Sequence, residues 1–346
     1  MKYAYVGCRT TKARNARGRG LMVYEIGADG SWTEKQCLFT EENPSYQCID
    51  AEKKYLYSVH GDLTKVSSYR IQEDGTLVHL NTIDIGGKNP VDVTMDKENR
   101  RVIVATLQGG TLYTIDRNED GSLGEVVATF TFEGKEEGKV STVHQCIWDQ
   151  TKTWLFSCAQ GRINGYGQMR ALKYHPEDGS FTESDRFLAR TWDEPRHCAV
   201  HPNNRWVYMV EEKGNKVLYF QFNSETGKMT ALQELSTVPE TVTGYSDASE
   251  VMIDPSGQYV LTSSRYSDLM AIYHIDPLTG YLKTVGFAPC LGKTPRFFCF
   301  APDGDCYVAN EDSDTIIRFH FDSVTGQLIP TPQILATGSP VCISFL

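Results

Sequence analysis

Hydrophobic positions along the chain fall in short runs separated by turn residues, and one arrangement of runs recurs. A brief apolar segment, a polar turn and a second segment rich in aromatic and β-branched residues appear together. The copies read YQCIDAEKKYLYSV, VDVTMDKENRRVIVA, HQCIWDQTKTWLFSC, HCAVHPNNRWVYMV, EVMIDPSGQYVLTS and FFCFAPDGDCYVAN. A seventh copy is split, VCISFL closing the chain and KYAYVGC opening it. The residues just after each first run are Asp50, Asp96, Asp149, His201, Asp254, Ala301 and Leu346. They are spaced roughly 45 to 53 residues apart, the period of propeller blades.

A second signal interleaves with the first. Asp29-Gly30, Asp74-Gly75, Asp120-Gly121, Asp178-Gly179, Thr226-Gly227, Thr279-Gly280 and Thr325-Gly326 each lie between strand-like runs. Glycine there supplies the positive φ that tight hairpins require. Two hairpins per repeat predict four-stranded antiparallel blades. Seven of them make an all-β, seven-bladed β-propeller spanning 1–346 as one domain. Its ring is closed by the first and last strands sharing a blade, which avoids two exposed sheet edges.

Composition adds constraints on partners. The net charge of −10 disfavours nucleic acid and anionic membranes. Lys12, Arg14, Arg17 and Arg19 form the one dense basic stretch, read as a solvated loop between strands. No run has the length of a membrane span, and the N-terminal residues lack the apolar core of a secretory signal. Ten cysteines show no CxxC pair or metal-ligand spacing. Cys48, Cys146, Cys198, Cys299 and Cys342 fall in apolar strands, as free thiols do. A reducing cytoplasm is the simplest setting, with a monomer or weak homodimer expected.

The repeat also predicts where side chains converge. In a propeller the innermost strand lines the channel, and its start shares a face with the end of the next strand. Five places before each marker stand Ser45, Val91, His144, Arg196, Ser249 and Arg296; eleven places after stand Gly61, Leu107, Gln160, Glu212, Arg265 and Asp312. Taken singly, each has an unremarkable reading: a structural histidine, a salt bridge from Arg196 to Glu212, solvated rim arginines. At matched register they favour a polar ligand site. Arginine forks bind carboxylate or phosphate, a carboxylate orients water, and a histidine moves a proton near neutral pH. No GxSxG, HExxH or phosphate-binding loop is present. His197 and His201, four apart on a strand, read as packing rather than metal ligation. An arginine-rich ring argues against an axial cation, so no metal and no cofactor are expected.

The segments PSYQCIDAEKKYLYSV, EPRHCAVHPNNRWVYMVEE, SEVMIDPSGQYVLTSSR and TPRFFCFAPDGDCYVANEDSDT resemble the seven-bladed lactonase family over essentially the whole chain. That family includes propeller-type 6-phosphogluconolactonases and fungal carboxy-cis,cis-muconate cyclases. The resemblance implies a cleft with a histidine, two arginines and a glutamate, which fall by motif on His144, Arg196, Glu212 and Arg265. The motif leaves Glu211 and Glu212 open, and the repeat register favours Glu212. Around these four, Arg296, His197, Gln160 and Asp312 are the expected substrate contacts. The sequence departs from the family pattern at CAQGRINGYGQ, at Ser264, and at Pro90-Val91-Asp92. The implied activity is hydrolysis of a sugar lactone or another small anionic substrate, such as 6-phosphogluconolactone. The alternatives are a carboxymuconate-type cycloisomerase and a non-catalytic binding propeller.

Overall fold

Closure between the chain ends organises the molecule. In the computed structural model, which describes residues 2–346, Tyr3–Cys8 pairs antiparallel with Pro340–Phe345, Ala4 opposite Phe345 and Gly7 opposite Cys342. Leu21–Ile26 and Trp32–Leu38 complete that blade. Six further antiparallel sheets follow in chain order, and their innermost strands begin at Pro44, Pro90, Thr142, Pro195, Asp247 and Pro295. The sheet starting at Thr142 differs in one respect. Its inner strand is interrupted between Thr142–Val143 and Ile147–Trp148, both of which pair with Trp154–Gln160. The seven-bladed ring and its closure are those read from the repeat.

Recurring residues have visible duties. Asp50, Asp96, Asp149 and Asp254 each close the inner hairpin. Oδ1 of Asp149, for example, accepts from the backbone N–H of Thr153 and Trp154 at 2.8 and 2.9 Å. The same pair of bonds recurs at the other three. In the outer hairpins Gly30, Gly75, Gly121, Gly179, Gly227, Gly280 and Gly326 all hold φ between 71° and 88°, as the turn type demands.

Each blade buries its faces only against its neighbours. Seven separate apolar clusters fill the seven gaps between blades, the architecture of a stack in which every unit contacts two others. A hydrogen bond crosses each gap to the next blade's outer turn. The donors are the side chains of Tyr5, Tyr57, Thr114, Trp154, Tyr208, Tyr259 and Gln333, and the acceptors the carbonyls of Gly75, Gly121, Gly179, Ser224, Gly280, Val324 and Asp29. Eight of the ten free cysteines are buried in these layers, with Cys48 partly so and Cys37 exposed. Among the described residues no helix is long and apolar enough to cross a membrane.

Tyr57 and Tyr208 are fully buried and stand in different gaps. Each Tyr→Phe change is expected to cost about 1 kcal/mol in urea denaturation, and the two costs should add. A double variant as stable as the parent would contradict this role.

Candidate active site

Bulges aim the inner ring of side chains. In a regular ladder one residue faces one partner, but each inner strand carries an extra residue near its start. Register shifts between Pro44 and Tyr46, Pro90 and Asp92, Pro195 and His197, and Pro295 and Phe297 leave Ser45, Val91, Arg196 and Arg296 unmatched. Ser249 lies in the shift between Ala248 and Val251, and His144 in the interruption after Val143. The seventh blade contributes Val341, between partners Pro340 and Cys342. A bulge redirects a side chain without ending the strand. Ser45, Val91, His144, Arg196, Arg296 and Val341 consequently line one central cavity with Arg9, Tyr46, His197, Glu250 and Phe297. That cavity has a volume of ≈ 20 Å³, about the room of one water. Wider clefts open at the rim, one of ≈ 260 Å³ beside Trp32, Tyr307 and Arg318. Arg318 is the one charged group that lines it, whereas the narrow centre gathers acid, histidine and arginine groups together.

Second-strand ends supply the other ring. Glu212 Oε2 accepts from Gln160 Nε2 at 2.7 Å and lies 3.2 Å from Arg196 Nε; Oε1 lies 3.2 Å from a terminal nitrogen of Arg265. Arg196 also donates to the Ser249 carbonyl at 2.6 Å. Its Nε is close to Glu212 but poorly aligned, and it makes no hydrogen bond among the described residues. Burial alone would raise the Glu212 carboxyl, yet Arg265, Arg196 and Arg296 outweigh it and hold the group at about 2. Burial, then Arg265 and Arg296, bring Arg196 down to about 9. Arg265 moves the other way: burial opposes its charge, but Glu212 and Asp247 more than compensate. Glu211 points elsewhere, into a cleft lined by Asp193 and Glu234, where burial and Asp193 push it up to about 8.

Two of the ring positions were not legible from the markers. The inner hairpin of the sixth blade is one residue shorter, since Phe300 pairs with Cys306 where Val200 pairs with Val207. Glu311 therefore takes the place corresponding to Glu212. Asp312 lies one step on, in the 3₁₀ turn Glu311–Ser313, its carboxylate accepting from Thr294 Oγ1. In the split blade the equivalent residue is Arg9, immediately after Cys8. Arg9 Nε is 3.3 Å and Arg296 is 3.6 Å from the two oxygens of Glu311, and a third contact joins Arg9 to Asp62 at 3.7 Å. Arg9 is brought down to about 9 by burial and then by Arg296. Its Nη1 and the hydroxyl of Ser45 are buried without hydrogen-bond partners among the described residues. Gly61 makes room for them, because a Cβ there would meet Ser45 Oγ at 2.8 Å.

Below the arginines, His144 Nδ1 is 3.1 Å from His197 Nε2, and His197 Nδ1 is 2.7 Å from Glu250 Oε1. Burial, then Arg196 and His197, push the His144 imidazole well below its usual 6.5. His201 is elsewhere, bonded to the Gly257 carbonyl. The atypical segment after the third repeat forms a loop whose Arg162 donates to Gln160 Oε1 at 2.8 Å. Asp92 is buried and accepts from the Cys146 N–H at 2.8 Å, and Ser264 reaches Thr237 at 3.3 Å. The basic loop is tied down by ion pairs of Arg14 to Asp62, Arg17 to Asp314 and Arg19 to Glu34.

The depressed carboxyl of Glu212 has a consequence for acid stability. Its folded value near 2 lies below the ordinary 4.5, so the unfolded chain binds more protons between these limits. The stabilisation is complete above about pH 4.5 and is lost as pH falls through 2, at roughly 3 kcal/mol in all. Parent and Glu212→Gln are expected to converge in stability across that window when unfolded by urea; a pH-independent gap would contradict the ion-pair assignment.

Comparison with known proteins agrees with this architecture. The family described as Lactonase, 7-bladed beta-propeller, matches residues 3–345. A 6-phosphogluconolactonase of Bacillus subtilis is 27% identical, covering 99% of this chain and 97% of its own. One from Pectobacterium atrosepticum is 27% identical with 94% of each covered. Among solved structures, a periplasmic gluconolactonase of Pseudomonas aeruginosa superposes with a TM-score of 0.90 at 24% identity, covering 100% of this chain and 99% of that one. A protein from Lactobacillus plantarum gives 0.88 at 21% identity, with the same coverage; at these identities the likeness is one of fold. Matched over nearly its whole length, the chain belongs to the lactonase family of seven-bladed β-propellers.

Proposed function

We propose that this protein is a cytoplasmic hydrolase that opens a sugar lactone carrying an anionic group, 6-phosphogluconolactone being the leading candidate. The observation that carries the reading is the buried Glu212 held between Arg196 and Arg265, with Arg196 and His144 lining the same water-sized cavity. Relatives named 6-phosphogluconolactonase align over nearly the full chain, and ten unpaired cysteines fit a reducing compartment.

In this mechanism the lactone carbonyl sits at the cavity and the rest of the sugar occupies the mouth above it. Glu212, held at about 2, is too weak a base to take a proton at neutral pH. It aligns Arg196 and Arg265 and uses its remaining lone-pair direction to orient the attacking water. His144, neutral when the site is empty, accepts the water proton as the new C–O bond forms. The anionic substrate offsets the arginine field that depresses its basicity. The guanidiniums of Arg196 and Arg265 stabilise the tetrahedral oxyanion. Collapse breaks the bond to the ring oxygen, which takes the proton back from His144, leaving a hydroxy acid. Arg296, Arg9 and Ser45, on the opposite arc, receive the phosphate or carboxylate.

A panel of phosphorylated and unphosphorylated lactones, assayed beside a carboxymuconate, tests the reading. Glu212→Gln is expected to lower kcat on the order of 10²–10⁴-fold. Parent protein inert toward every lactone, or active only on the muconate, would overturn it. Arg9→Gln should raise KM about tenfold for the phosphorylated lactone and leave the neutral one unchanged; equal effects on both would remove Arg9 from the anion subsite.

A further inference from the structure

In the second, third and fourth blades the residue after the bulged position reaches into the next blade. Asp92 and Gln145 accept from the backbone N–H groups of Cys146 and Cys198, at 2.8 and 2.6 Å. His197 occupies the same place in the fourth blade but meets the Glu250 side chain instead. Its other nitrogen meets His144. The three groups form an unbroken line across three blades, and all are buried, at 5%, 3% and 1% exposure for His144, His197 and Glu250.

The polarity of this line follows from hydrogen-bond bookkeeping. Glu250 Oε1 also accepts from the Val251 N–H at 3.1 Å, so it acts as an acceptor. His197 Nδ1 must then carry the hydrogen, which makes the Nε2 of a neutral ring an acceptor. The hydrogen between the rings consequently belongs to His144 Nδ1. Its Nε2, on the other side of the ring, makes no hydrogen bond among the described residues, and the ring lines the cavity.

We propose that Glu250 and His197 are positioning residues that fix His144 as the Nδ1–H tautomer, leaving Nε2 bare to take the proton of the attacking water. The assignment rests on the role of His144 in the proposed hydrolysis and extends it. When Nε2 accepts the proton, the imidazolium holds its charge against His197, whose Nδ1–H is anchored on the Glu250 carboxylate. When Nε2 returns the proton to the leaving ring oxygen, the original tautomer is restored and the relay is unchanged. Other groups facing the line are Arg196 and Arg296, Arg162 from the loop after Gln160, Asp92 from the second blade and the ring of Tyr46, 6.5 Å edge-on from His197. The arginines oppose a positive charge on either imidazole; Glu250 is the anion in contact with the line.

Two measurements test this. Nitrogen-15 spectra of the histidine-labelled protein, assigned by loss of signals in His144→Gln and His197→Gln, should show both rings as Nδ1–H tautomers. Glu250→Gln should disturb both. A parent His144 protonated at Nε2 would overturn the proposal, whether or not any lactone is hydrolysed, so this readout is separate from the fate of the functional reading. In an active preparation, Glu250→Gln should lower kcat about 10²-fold with KM within about twofold, Glu250→Asp recovering part of the loss. The acid limb of the rate profile should move to lower pH, because removing the carboxylate makes the histidine pair harder to protonate. An unshifted limb with parental kcat would overturn the proposal; should the variant not fold, the parent's tautomers decide it.

Discussion

A blade of this protein has two apolar faces and no means of burying either alone. Each inter-blade layer forms only when the next sheet is in place, and the series ends only because Tyr3–Cys8 joins Pro340–Phe345. That mutual dependence sets the geometry of the centre. Most groups around the cavity stand on strands whose register is locked by ladders on one side and packed layers on the other; His144 and Arg9 stand directly beside such strands. Residues from seven blades can therefore be held to the tolerance that acid–base chemistry requires. Arg9, Asp62, His144, Arg162, Glu212 and Glu311 stand just beyond strand ends, each held within a short turn, connection or interruption.

Electrostatics at the centre follows a simple rule of alternation. On one arc the order is Arg265, Glu212, Arg196; on the other it is Arg296, Glu311, Arg9 and Asp62. Charges buried this deeply are costly unless paired, and each carboxylate spans two guanidiniums. Burial first, and then the neighbouring arginines, make Arg196 and Arg9 both hold their protons less tightly than usual. The histidine line beneath, anchored on Glu250, is a third element that joins neither arc.

Much of this was legible from the sequence, and the misses have particular causes. Repeat spacing exposed the blades, their hairpins and the closure, since the marker aspartates and turn glycines perform backbone duties that few other residues can perform. It also found the bulged ring without any knowledge of bulges, because the extra residue recurs in every blade and cancels from the spacing. Where a blade breaks the repeat, the inference slipped. A hairpin shortened by one residue moved the site position from Asp312 to Glu311, and a one-residue slip changes which face a side chain occupies. Arg9 escaped because its blade is divided between the chain ends and the count stopped at Leu346. Glu250 was passed over because it directly follows a ring position, and strict alternation would turn it away from the axis. The bulge admits two consecutive residues to the centre. Its neighbour His197 was named for substrate contact, whereas its two ring nitrogens are both engaged within the protein.

The divided blade carries one more implication, for biosynthesis. Arg9 is made long before Pro340–Phe345, the strand that seats Cys8 and brings Val341 to the axis. Until that strand follows, the nascent polypeptide keeps the edge of Tyr3–Cys8 unpaired and possesses no finished pocket. Competence thus arrives late and all at once, and a product interrupted ahead of Pro340 is left with an open ring rather than a partly built centre.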